Sequence, residues 1–213
     1  MGTLILARHS ITAASAEGRN LGQRSDPPLA DAGVALARDL GRTLERELAE
    51  LPHDELRVLS SPALRCRQTA ASVAEALELR EDAIAVEAGL LEIDYGDWDG
   101  LTPEECHARD PRRRAAWEAD PYATRCPNGE SGSDVRARAD AVLLPLERWL
   151  AEDRARCAIV VAHNHVNRVH LCSLFGWPMA EYRDRIVQDP AGYSLVTFGG
   201  PIPVIRRMNA APA

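Results

Sequence analysis

The chain has no apolar run approaching the ~20 residues that a membrane-spanning helix needs, so no membrane partner is expected. Its start, Met1-Gly2-Thr3, leads into a strand pattern without the basic region and long apolar core of a secretion signal. A cytoplasmic location is the expectation. Cysteine is sparse: Cys66, Cys106, Cys126, Cys157 and Cys172 are widely spaced, and no C-x-x-C pair occurs. That spacing excludes a disulfide framework and a zinc knuckle, leaving reduced thiols. A basic excess is also missing. The net charge is −7, and the arginines are dispersed among acids except at Arg112-Arg113-Arg114, which argues against a nucleic-acid partner. Low-complexity tracts, internal repeats and linkers are absent. With 213 residues and 46% hydrophobic content, the chain reads as a single domain over residues 1–213.

What is present is an alternation of apolar runs with helical periodicity, the pattern of βαβ units. Residues 3–7 predict a first strand. Asp31 is placed to cap a helix over roughly 32–50, and Leu56 to Ser60 predict a second strand. Pro62 suits the first turn of the next helix, which carries Arg65. A strand near 84–87 leads into the loop Leu91 to Trp98, and residues 102–132 read as a helical lid insertion. A helix over about 134–152 precedes the strand Ala158 to Ala162, and another helix runs from Asn164 to the stop signal Gly176-Trp177-Pro178. Residues 193–198 and 202–206, joined through Gly199-Gly200-Pro201, predict an antiparallel terminal pair. The expected fold is α/β, a three-layer α/β/α sandwich with a mostly parallel sheet and a helical lid.

Two histidines stand at strand ends: His9, after Arg8, and His163. Ligands of open α/β sheets sit beyond the carboxyl ends of the strands, so these residues and Arg65 are expected to converge there. Cationic forks around a nucleophilic imidazole suit a phosphate, because phosphoryl transfer rests on positioning and charge neutralisation. That arrangement needs no metal and no cofactor.

At this point the chain resembles the histidine phosphatase superfamily, the phosphoglycerate mutase-like group, and within it the phosphatase branch. The resemblance rests on six ordered blocks. They are Leu4 to His9 at the start, Gly18 to Gln23, Leu29 to Gly33, Ser60 to Ala70, Leu90 to Thr102 and Asn128 to Ser131; the second histidine then follows Val-Val-Ala. It implies His9 as a nucleophile that becomes phosphohistidine, a phosphate pocket of Arg8, Arg65 and His163, and Glu92 as proton donor. A neutral carboxylic acid can protonate a leaving alkoxide, and the resulting carboxylate can then activate water. Substrate contacts are expected from Ser10, Thr12, Ser15, Gln23 and Asn164.

The departures from the family pattern are specific. Ser10 and Asn164 stand where glycine usually follows each histidine, and Ser15 replaces a common asparagine. A Cβ at positions 10 and 164 narrows the room for ligand approach. Taken alone, Arg65 would be an ordinary solvated helix arginine and Glu92 one acid among 32. His163-Asn164-His165 shares letters with a nuclease signature and could hold a metal, yet no Cys or Asp/Glu ligand set accompanies it. Arg112 to Arg114 read as a solvated lid face. Trp98, Trp117, Trp149 and Trp177 fit packing. The expected activity is metal-independent hydrolysis of a small phosphorylated metabolite. The rivals are mutase-type transfer and a non-catalytic phospho-ligand binding protein in which Ser10 and Asn164 spoil turnover. A homodimer is the working expectation for assembly, with no motif behind it.

Overall fold

The structure is a computed structural model that describes residues 2–200 and 202–213. Six strands form one sheet: β1 (Gly2–Arg8), β2 (Glu55–Ser60), β3 (Ile84–Val86), β4 (Arg156–Ala162), β5 (Tyr193–Phe198) and β6 (Val204–Ala210), in the order β3-β2-β4-β1-β5-β6. β1, β2, β3 and β4 run parallel, while β5 pairs antiparallel with β1 and β6 antiparallel with β5 at one edge.

The apolar runs in β1 and β4 are continuous because both faces of the sheet are covered. Leu4 and Leu6 point with Ala158, Val160 and Ala162 into one core. Ile5 and Ala7 point with Cys157, Ile159 and Val161 into the other. The period of two along each strand thus feeds two layers. The second core is closed by α2 (Asp31–Ala49) and α3 (Leu64–Ala76) through residues such as Leu40, Leu44 and Val73. The first is closed by α6 (Gly132–Glu152) and α7 (Asn164–Leu174) through Leu143, Leu150, Val166 and Val169. The result is the expected three-layer sandwich, and no helix among the described residues is long and apolar enough to cross a membrane.

Several local expectations need correction. Asp31 does not cap α2: Ala30 is the N-cap without a side-chain bond, and Asp31 is the first helical residue, where its charge still suits the helix dipole. Pro62 lies before α3, whose N-cap is Ala63 and whose first helical residue is Leu64, so the turn after β2 is two residues longer than expected. α6 begins at Gly132 because Ser131 and Asp134 form a capping box. The last strand runs later than 202–206, since Ile202 is 70% exposed and pairing with β5 starts at Val204. Pro201 and Met1 lie outside the described residues.

The insertion holds α4 (Pro103–Arg109) and α5 (Pro111–Ala119), both started by proline. It is anchored rather than loose, because Cys106 and Trp117 are buried in the first core beside Trp98. Arg112 and Arg113 are exposed, but Arg114 is not the solvated residue expected. It is 2% exposed, stacked 4.7 Å from the Trp117 ring and paired with Glu118. Its position on α5 turns it inward, where indole faces accept a cation.

Candidate active site

His9 follows β1 directly and is nearly sealed from solvent. Its Nδ1 lies 2.7 Å from the Ser10 carbonyl oxygen, which only accepts, so Nδ1 carries the ring proton and Nε2 keeps its lone pair. Burial first, then the like charges of Arg8 and Arg65, hold this imidazole well below the ordinary 6.5. At neutral pH it is therefore uncharged and nucleophilic.

The His163 ring meets His9 edge-on, with centroids 5.2 Å apart. Arg65, 1% exposed, places Nη2 3.3 Å from His163 Nδ1 and donates to the carbonyls of Gly22 and Leu21. A guanidinium has no acceptor, so His163 Nδ1 accepts and its Nε2–H donates to Ser61 Oγ at 2.8 Å. Burial, followed by Arg65, keeps His163 neutral as well. Arg8 donates through Nη1 to the Gln188 carbonyl, while its Nε is buried without a partner.

Glu92 comes from the loop before the insertion and is 4% exposed. Its carboxyl accepts from Ile93 N at 2.9 Å and from His165 N at 3.2 and 3.3 Å. It thus serves as the missing cap of α7, whose N-cap His163 makes no side-chain cap bond. Those two amides favour the carboxylate, yet burial outweighs them and the carboxyl is pushed above its ordinary 4.5. With His9 pushed down and Glu92 pushed up, each group is driven toward the form a nucleophile and a proton donor require.

The Glu92 segment is clamped from below. Arg138 donates to the carbonyls of Gly89 and Glu92 and pairs with Glu130, which accepts from Asp94 N at 2.9 Å. Gly96 and Gly129 have no room for a Cβ: it would meet the Pro127 carbonyl oxygen at 1.9 Å and the Asp94 oxygen at 2.2 Å. The Gly-x-Trp and Asn-Gly-Glu blocks are therefore two interlocked turns under one carboxyl group.

Arg8, His9, Ser15, Glu92, Asn164 and Arg183 are among the residues lining a cavity of about 200 Å³. Arg65 faces a neighbouring cavity of similar size with Gln23. A larger groove of about 420 Å³, along Leu56 to Leu59 and Pro145, contains no histidine.

The expected substrate contacts divide. Asn164 and Ser15 reach the cavity wall. Ser10 does not: it is fully buried, and its hydroxyl turns away to donate to the Gly33 carbonyl at 2.7 Å. A Cβ at Gly33 would sit 2.0 Å from the Ile11 carbonyl oxygen, so that glycine lets α2 approach the loop and receive Ser10. Thr12 caps α1 (Ala13–Ala16), its Oγ1 accepting from Ser15 N while Ser15 Oγ answers Thr12 N. Gln23 donates to the Glu92 carbonyl at 2.8 Å, holding the Glu92 backbone. His165 is no metal ligand, since both ring nitrogens meet hydroxyls, Tyr95 at 2.8 Å and Tyr182 at 2.6 Å. Sequence reading missed Arg138, Tyr95, Tyr182 and Arg183. No spacing or motif in the sequence marked them.

The family profile described as "Histidine phosphatase superfamily (branch 1)" matches residues 4–211. Phosphoserine phosphatase 1 of Hydrogenobacter thermophilus is 30% identical over 98% of this chain and 92% of its own length. A 2,3-bisphosphoglycerate-dependent phosphoglycerate mutase of Methylobacterium radiotolerans is 33% identical over 97% of this chain and 90% of its own. Among solved structures, a mycobacterial glucosyl-3-phosphoglycerate phosphatase in complex with VO3 superposes with a TM-score of 0.84 at 25% identity, covering 99% of this chain and 100% of that one.

Proposed function

The chain belongs to the histidine phosphatase superfamily, branch 1, an enzyme of the histidine phosphatase type, and from that premise we propose that it hydrolyses a small phosphomonoester through phosphohistidine at His9. The observation that carries this reading is the neutral His9 ring. Its proton is fixed on Nδ1 and its Nε2 is free, at the wall of a cavity that also exposes Glu92. In the first half-reaction the Nε2 lone pair forms the N–P bond as the ester P–O bond breaks, and protonated Glu92 gives its proton to the leaving oxygen. In the second, the Glu92 carboxylate takes a proton from water, whose oxygen displaces His9 from phosphorus; inorganic phosphate leaves and Glu92 is again protonated.

Arg8 and Arg65 supply the charge that neutralises the phosphoryl oxygens, a role a divalent ion plays in other phosphatases. The cavity of about 200 Å³ is smaller than the ~300 Å³ at the low end of drug-sized sites. A small metabolite fits that space, and relatives named for phosphoserine and glucosyl-3-phosphoglycerate support the same class. The mutase relative makes return of the phosphoryl group to substrate the rival outcome. The binding-only reading loses one of its two premises, because the Ser10 hydroxyl is directed to Gly33. The test is a rapid alkaline quench during turnover of an aryl phosphate, which should trap an acid-labile phosphoryl group on His9 with stoichiometric release of inorganic phosphate. Full turnover by His9→Ala would overturn the assignment, and phosphoryl return without phosphate release would favour the mutase.

A further inference from the structure

One phosphoryl group does not account for the positive charge around this cavity. Arg8 already lines it beside the neutral His9 imidazole, and Arg65 adds its charge to that imidazole from the adjoining cavity. Arg183, from α8 (Tyr182–Arg185), lines the same cavity, and Arg168 follows Asn164 by one turn of α7. Residues four apart share a helix face, so Arg168 stands on the face of α7 that carries Asn164, behind the cavity wall and close enough to Arg183 and Arg8 to feel their charge. Among the described residues neither arginine has an ion pair or a hydrogen bond, and both have a buried Nε without a partner. Asn164 Oδ1 is also buried and unpartnered. Their neighbours differ: Arg185 pairs with Glu181, and Arg19 pairs with Glu17 and Glu105.

We propose that Arg183 and Arg168 bind an anionic group on the leaving part of the substrate, so that the substrate is a compact phosphomonoester bearing a second anion, a carboxylate in preference to a second phosphate. This rests on the phosphatase reading above and names its substrate class. Three further observations support it. The Arg183 guanidinium lies 4.4 Å over the Trp117 ring, which is itself fixed against Trp98 and Arg114, so its fork is held in place before a ligand arrives. Arg168 is depressed by burial, then by the like charges of Arg183 and Arg8, and an anion is what would relieve that repulsion. The cavity also exposes Glu92, which must face the leaving oxygen, so a group attached to that oxygen shares the space that Arg183 lines. A volume of about 200 Å³ leaves little room for two phosphates and favours the carboxylate.

The test is calorimetric titration of the intact protein with 3-phosphonopropionate and with its neutral carboxamide, two non-hydrolysable probes of equal shape. The acid should bind on the order of 10- to 100-fold more tightly than the amide, as expected for one or two charge-assisted hydrogen bonds. Arg183→Gln and Arg168→Gln should each bring that ratio down at least fivefold, with Arg183→Lys recovering part of it. Replacing the carboxylate by a second phosphonate should weaken binding relative to the acid; stronger binding would assign the subsite to a phosphate instead and overturn the carboxylate preference. A parent ratio near one, a ratio that survives in both glutamine variants, or a ratio that falls only in Arg112→Gln on the exposed lid, would overturn the subsite. Failure of both probes to compete with inorganic phosphate would instead remove the phosphate pocket itself, and the subsite with it. Thermal unfolding checks that the variants fold.

Discussion

Replacing Glu92 by glutamine separates its chemistry from its structural place. The carboxyl is buried, accepts from Ile93 N and His165 N, and sits above its ordinary 4.5 because burial outweighs those bonds. Glutamine keeps the shape and one acceptor oxygen but cannot give up a proton. Loss of a general acid costs on the order of 10²–10⁴ in rate on an alkyl phosphate, about 2.7–5.4 kcal/mol of transition-state stabilisation. An aryl phosphate, whose phenolate leaves without a proton, should lose clearly less. Stability moves the other way. A carboxyl raised on folding stabilises the protein below its unfolded value, and that contribution disappears as pH rises through the folded value. At neutral pH the parent carries this penalty and Glu92→Gln does not. Each 1 kcal/mol is worth about 2–4 °C of Tm in a chain of this size. The assay is kcat on both ester classes together with Tm at pH 7. Equal rate losses on both esters would refute the proton-donor argument, and a lowered Tm would refute the burial argument.

Asn164→Gly should change the rank order of substrates in kcat/KM. Ser10→Gly should leave that order intact and lower Tm modestly, because the Gly33 carbonyl, inside α2, loses the hydroxyl as a second donor at a cost of about 0.5–1.5 kcal/mol. His9 and His163 are both depressed by burial, so the acid limb of kcat/KM should lie below the ordinary histidine value of 6.5, and the alkaline limb should lie above 4.5, where Glu92 ionises. The two imidazoles stabilise the fold above 6.5, and that contribution is lost as pH falls toward their folded values; a chemical-denaturation series from pH 8 to 5 should show the decline. Exhaustive chelation should leave turnover intact while vanadate inhibits competitively, and loss of activity restored by one divalent ion would defeat the metal-independent reading.

The sequence carried the sheet and the convergence of His9, His163 and Arg65 because both follow from short-range pattern. Continuous apolar runs bounded by polar residues define β1 and β4, and chain direction alone sends His9 and His163 to the same edge. The clamp on Glu92 was illegible for the opposite reason: Arg138 reaches carbonyls almost fifty positions earlier, and no periodicity links a helix arginine to a loop that distant. Arg114 was misread because Arg112-Arg113-Arg114 is uniform in charge, while the helix turns one of the three inward onto Trp117.

Ser10 and Asn164 make the same point within one motif. Each replaces a glycine after a histidine, so letter for letter they are the same departure, yet the structure gives them opposite surroundings. After β1 the chain runs under α2, where Gly33 brings a carbonyl within reach of the Ser10 hydroxyl, and the added side chain is absorbed into packing. After β4 the chain turns at once into α7. There the side chain at the first helical position stands at the cavity wall with its Oδ1 unpartnered. A residue in place of glycine is therefore positioned to touch a ligand only where the following element turns its Cβ toward the cavity. At position 164 it does so on the helix face that also carries Arg168, so under the proposed subsite the departure at Asn164 and the unpaired arginine would act on the same ligand.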